Sequence, residues 1–201
     1  DSLPLGLAGY SVTTHDAVSS LRISFRGDQY PGYTFTRATV LHGSDSSYVV
    51  SATCHDSDVV ITYATDVLAG RTVFEFSEPQ DTLRLRFEQT DTHTQDRFTL
   101  NGILLETDDP GVYYHALGVN GAATWSWLRC QKLEEGLALV KPDLVVFSIG
   151  INDAHDPDFS AERYERNYDQ LIARVKEASP GAAILLLSNT DSYVKRKYPN
   201  K

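Results

Sequence analysis

Two turns in the C-terminal half carry residue types suited to holding a developing negative charge: Gly118-Val-Asn-Gly-Ala122 and Gly150-Ile-Asn-Asp153. Glycine in such a turn lets the backbone approach a ligand and expose an N–H. An asparagine amide from a neighbouring turn can donate to the same point. Together the two would form an oxyanion hole, worth about 3–4 kcal/mol of transition-state stabilisation per donor. Either turn alone is accounted for by chain reversal. Two of them at the carboxyl ends of consecutive strands favour the chemical reading, because open α/β sheets place their ligands there.

The elements that must position these turns follow from the apolar pattern. Leu144-Val-Val-Phe-Ser-Ile149 reads as a buried parallel strand ending in the second turn, and Val112-Tyr-Tyr-His-Ala-Leu117 as the strand before the first. A helix is predicted from about Thr124 to Val140, with Leu133, Leu137 and Val140 at i, i+4 and i+7, and Pro142 ends it. Ser160 caps a second helix with Tyr164, Tyr168, Leu171, Ile172 and Val175 on one face, and Ala183-Ile-Leu-Leu-Leu187 forms another buried strand. Strand–helix alternation of this kind predicts βαβ units and a three-layer, flavodoxin-like parallel sheet over residues 111–201.

Residues 1–110 follow a different period. Leu21, Ile23 and Phe25 alternate with Arg22, Ser24 and Arg26, and Leu83, Leu85 and Phe87 with Arg84 and Arg86. Further short runs at 33–35, 48–50, 59–63, 72–76 and 98–100 are separated by turn formers, Gly43-Ser-Asp-Ser46 among them. Eight or nine short strands without a helix predict an antiparallel β-sandwich of jelly-roll type. Tyr30, Tyr33, Tyr48 and Tyr63 would stack on sugar rings if exposed, and fill the core if not.

Composition narrows the function. The formal net charge of −9 opposes a nucleic-acid partner, and Lys195-Arg-Lys197 is too short to offset it. No apolar run is long enough for a transmembrane segment. The chain opens at Asp1 without an initiator Met, which is compatible with removal of a leader. Cys54 and Cys130 read as free thiols rather than a bridge, and neither has a second ligand at zinc spacing. The run Asp153, His155, Asp156, Asp158 precedes a helix, where acidic groups favour the dipole without any metal.

Lys141-Pro-Asp-Leu-Val-Val-Phe-Ser-Ile-Gly-Ile-Asn-Asp153, preceded by Gly118-Val-Asn-Gly-Ala122 and followed by a Tyr-bearing helix and Ala182-Ala-Ile-Leu-Leu-Leu-Ser188, resembles the SGNH (GDSL-type) hydrolases over roughly residues 111–194. The resemblance implies that Gly121 supplies a backbone N–H and Asn152 a side-chain N–H to the oxyanion. Asp153 would brace the turn or line the substrate site. Trp125 and Trp127, just after the first turn, would line a substrate cleft or pack against the sheet. The family's nucleophilic Ser block and its Asp-x-x-His block find no counterpart, because Gly43-Ser-Asp-Ser46 falls inside the sandwich and His155 lacks the spacing. Both blocks are therefore expected outside this chain.

The module order is similar to that of bacterial peptidoglycan O-acetylesterases in which a sandwich resembling carbohydrate-binding modules is inserted into the hydrolase. On that basis the expected function is a secreted or periplasmic serine esterase of the cell envelope. It would remove acetyl groups from carbohydrate or peptidoglycan without a metal or organic cofactor. The competing expectation is a non-catalytic carbohydrate-binding protein that keeps the α/β scaffold.

Overall fold

A computed structural model describes residues 5–26, 32–55 and 58–190. They divide into two compact units, one of residues 11–115 and one formed by residues 5–10 together with 116–190.

The first unit holds eight strands: β1 (Val12–Thr14), β2 (Val18–Ser24), β3 (Phe35–His42), β4 (Tyr48–Thr53), β5 (Ile61–Asp66), β6 (Arg71–Gln80), β7 (Thr82–Gln89) and β8 (Phe98–Glu106). They form two antiparallel sheets, ordered β1-β8-β3-β6-β5 and β2-β7-β4. Alternation sets the burial. In β7, Leu83, Leu85 and Phe87 are buried while Arg84, Arg86 and Glu88 are exposed. Inward side chains of both sheets make a single core, in which Phe87 of β7 stacks on Phe98 of β8 at 4.4 Å between ring centroids. The central strand β3 is longer than its sequence pattern predicts. Thr39 and His42 are buried among apolar neighbours, and the His42 ring is satisfied by Thr72 Oγ1 at 3.0 Å.

The second unit contains α1 (Thr124–Leu128), α2 (Leu133–Val140), β9 (Leu144–Phe147), α3 (Ile151–Ala154), α4 (Ala161–Ala178) and β10 (Ala183–Leu186). Its two strands pair in parallel, Leu144 opposite Ala183 through Phe147 opposite Leu186. The core joins Leu133 and Leu137 of α2, Leu171 and Val175 of α4, Cys130, Ala182 and Leu7. Ser160 caps α4 as its sequence predicts, with Arg163 N donating to Ser160 Oγ at 3.2 Å.

Three elements differ from the sequence pattern. The helix predicted over 124–140 is broken between α1 and α2, because the N-terminal segment enters there. Lys132 N donates to Leu5 O, Gly6 bridges Lys132, and Leu7 packs so closely on Gly136 that a Cβ at residue 136 would stand 2.6 Å from the Leu7 Cβ. Val112–Leu117 is not a strand. Its edge finds no partner among the described residues, and Val112 and Tyr114 are 97% and 87% exposed. The strands β9 and β10 are covered on one face only: Val145, Phe147 and Ile184 join the core, whereas Leu144, Val146 and Leu185 are exposed.

Candidate functional site

Both glycine–asparagine turns lie in the second unit, and a direct hydrogen bond joins them. Asn152 Nδ2 donates to Ala122 O at 2.8 Å, which fixes the asparagine amide beside the residue that follows Gly121. That bond uses one of the two amide hydrogens and leaves the other to a ligand. Asn152 is exposed, as is Gly121. Gly121 has φ +78°, a left-handed conformation that favours glycine, and no heavy atom lies within 4 Å of where its Cβ would stand. Its N–H carries no hydrogen bond among the described residues. The two donors expected from the sequence thus stand on adjoining turns, each with an N–H free to donate.

The framework beneath them is polar and buried. Asp153, only 7% exposed, accepts from Thr124 N at 2.9 Å through Oδ2 and from Thr124 Oγ1 at 2.5 Å through Oδ1. Thr124 is fully buried, and its Oγ1 in turn accepts from Asn167 Nδ2 at 2.9 Å. An anionic acceptor at the first N–H groups of α1 satisfies donors that the helix cannot. Asp153 therefore clamps the start of α1, and with it the Gly121 turn, to the Asn152 turn.

Gly150 sets the direction of the second turn. Its φ of +132° is open only to glycine, and a Cβ there would lie 2.1 Å from Tyr164 Oη and 2.7 Å from Asn189 Nδ2. Tyr164 and Tyr168, one helical turn apart on α4, both donate to Ile149 O, at 3.1 and 2.7 Å. Burial, followed by the hydrogen bond with Tyr164, pushes the Tyr168 phenol well above its ordinary value. Arg174 grips the other end of α1: it donates to Leu128 O at 3.1 Å and Cys130 O at 2.6 Å, and pairs with Glu134. That arginine holds the Glu134 carboxyl below its usual range.

The two tryptophans separate. Trp127 packs against the core and against Gly9. Trp125 is 47% exposed, with the Arg129 guanidinium 5.4 Å from its ring centroid. His155 caps the end of α3 and is exposed, while Asp156 is taken up by Arg163 at 3.0 Å. Among the described residues no group of three His, Cys, Asp or Glu could hold a metal ion, and no helix is long and apolar enough to cross a membrane. Neither Cys54 nor Cys130 forms a disulfide among the described residues, and burial pushes the Cys130 thiol up.

In the first unit, Gly43-Ser-Asp-Ser46 is a loop between β3 and β4 in which Asp45 Oδ1 accepts from Ser47 N at 2.8 Å. Tyr48 is buried in the core and Tyr33 donates to Leu105 O at 2.9 Å, whereas Tyr63 is 66% exposed; Tyr30 and Lys195–Lys197 lie outside the described residues. A polar depression of about 500 Å³ is lined by Arg26, His55, Glu78 and Asp81, with Arg26 and Asp81 paired at 2.8 Å.

Sequence reasoning missed Thr124, Asn167 and Arg174. Their roles depend on partners 29 to 46 positions away, which no local pattern reveals. The paired tyrosines of α4 did leave a signal, since polar-tipped side chains four apart on an apolar face need acceptors.

Gly121 and Asn152 are both exposed, on two adjoining turns of which the second follows β9. The profile of the GDSL-like lipase/acylhydrolase family matches residues 82–200, more than half of the chain, and the chain belongs to that family. The match begins at β7 and so includes the last two strands of the first unit. A solved structure of a peptidoglycan O-acetylesterase is similar to 92% of the chain, with a TM-score of 0.55 and 18% identity. The chain spans about half, 48%, of that protein's chain. No curated protein matches the sequence.

Proposed function

We propose that this chain carries the oxyanion-holding part of a secreted or periplasmic serine esterase of the SGNH type, acting on acetyl esters of carbohydrate or peptidoglycan. The observation that carries the reading is the Asn152 Nδ2–Ala122 O bond, which ties the asparagine amide to the turn whose Gly121 N–H is unengaged among the described residues. Membership of the acylhydrolase family and likeness to an O-acetylesterase fold support it.

In this reading a serine hydroxyl from sequence outside residues 1–201 attacks the ester carbonyl, and a histidine from outside takes its proton. The oxyanion accepts hydrogen bonds from Gly121 N–H and the second Asn152 Nδ2 hydrogen. Collapse expels the sugar oxygen, which takes the proton from the histidine. Water then cleaves the acetyl-enzyme and releases acetate. Asp153 acts as a positioning residue through Thr124, and Trp125 offers an aromatic face to a sugar ring. The antiparallel sheets of the first unit serve as a jelly-roll module resembling carbohydrate-binding domains.

Acetate release tests the reading. The whole protein is expected to free acetate from O-acetylated peptidoglycan and from an aryl acetate. Failure on both substrates, with the protein folded, would refute the esterase assignment.

A further inference from the structure

We propose that Arg129 and Trp125 form a subsite for a carboxylate-bearing glycan, so that the acetylated substrate is anionic close to the ester. The inference rests on the esterase reading and names its substrate class.

Three observations carry it. The guanidinium of Arg129 lies over the Trp125 ring at 5.4 Å and pairs with no carboxylate among the described residues. Arg26, Arg37, Arg71, Arg86, Arg163 and Arg174 have carboxylate partners, whereas Arg22, Arg84, Arg97, Arg166 and Arg129 form no salt bridge among the described residues; Arg129 differs from those four in lying over an aromatic ring. In a chain of formal charge −9, an arginine on an aromatic face keeps its in-plane N–H donors for an outside acceptor.

The second observation is rigidity. Asp153 holds the start of α1 through Thr124, and Arg174 holds its end through Leu128 O and Cys130 O. Trp125 and Arg129 sit four residues apart on this clamped turn, about 6 Å along the axis. A ligand finds the pair already placed, so little ordering opposes binding.

The third is position. Thr124, whose N–H and hydroxyl bond to Asp153, immediately precedes Trp125 at the start of α1, just after the Gly121 turn, and Asp153 is the neighbour of Asn152. A sugar ring on Trp125 therefore lies next to the oxyanion donors, and a carboxylate on that sugar or its neighbour reaches Arg129. An acidic protein repels anionic polymers at long range, and a local cation at the site offsets that repulsion where it matters.

The test uses the whole protein and two substrates: an O-acetylated muramyl disaccharide with a free lactyl carboxylate, and the same compound as its carboxamide. The carboxylate form is expected to have a kcat/KM about fivefold higher at low salt, carried in KM, the size of an exposed charge pair. Arg129→Gln is expected to bring the ratio to one, Arg129→Lys to keep part of it, and added salt to erode it in the wild type. Equal rates for the two compounds, or a ratio unmoved by Arg129→Gln, would overturn the subsite while leaving the esterase reading intact. No acetate from either compound would overturn both.

Discussion

Replacing Asp153 by Ala removes the acceptor that joins the two turns. The carboxylate takes the Thr124 N–H at 2.9 Å and the Thr124 hydroxyl at 2.5 Å, and Thr124 is fully buried. The variant strands one N–H and one hydroxyl away from water, each at about 1–3 kcal/mol, since Asn167 presents its donor Nδ2 to that hydroxyl. Allowing for relaxation, the loss is about 3–4 kcal/mol. Asp153→Asn keeps one acceptor oxygen but sets an amide donor beside a second donor, and is expected to cost about half as much. Both tryptophans of the chain, Trp125 and Trp127, flank this network, so tryptophan fluorescence during urea unfolding reports on the second unit alone. At a slope of roughly 2 kcal/mol per molar urea, Asp153→Ala shifts the midpoint down by about 1.5–2 M. A shift under about 0.5 M, together with a raised KM for substrate, would show that Asp153 binds ligand rather than braces the fold.

Three further substitutions and titrations follow from the same framework. Gly150→Ala forces a Cβ to 2.1 Å from Tyr164 Oη at φ +132°, and is expected to destabilise by about 3 kcal/mol by urea titration, with loss of the hydrogen bond to Ile149 O. Arg174→Met leaves carbonyls at the end of α1 without a donor and is expected to cost about 2–3 kcal/mol. Because Arg174 depresses the Glu134 carboxyl, its pairing stabilises the fold above the ordinary glutamate value of 4.5 and is lost as pH falls through the lower folded value. Arg174→Met should flatten that acid limb in unfolding measured between pH 3 and 6. Tyr168 has a raised phenol, so its contribution is intact below the unfolded value of 10 and lost as pH rises further. Tyr168→Phe is expected to reduce this alkaline loss of stability, as measured by circular dichroism from pH 8 to 11.

How much of this was legible in the sequence depends on the range of the forces involved. Alternation in β2 and β7 and the face of α4 are local patterns, and the structure follows them. The break between α1 and α2 is not local: it exists because Leu5 O takes the Lys132 N–H and Leu7 occupies the groove at Gly136. Val112–Leu117 has the composition of a strand, but composition supplies no partner edge, and the segment stays exposed up to Leu117, which packs against the core. The two glycine–asparagine turns were visible because turn chemistry is written in adjacent residues. The Asp153–Thr124–Asn167 chain and the Arg174 clamp were not, because each joins residues brought together only by folding.

The central claim is that Asn152 donates to an oxyanion, and one substitution measures it. In the whole protein, Asn152→Ala should lower kcat for an aryl acetate by about two to three orders of magnitude with little change in KM, the usual cost of losing one such donor. Its urea midpoint, read by tryptophan fluorescence, should move far less than that of Asp153→Ala, since Asn152 is exposed and its side chain bonds to Ala122 O alone among the described residues. An unchanged kcat in a folded Asn152→Ala protein would contradict the account.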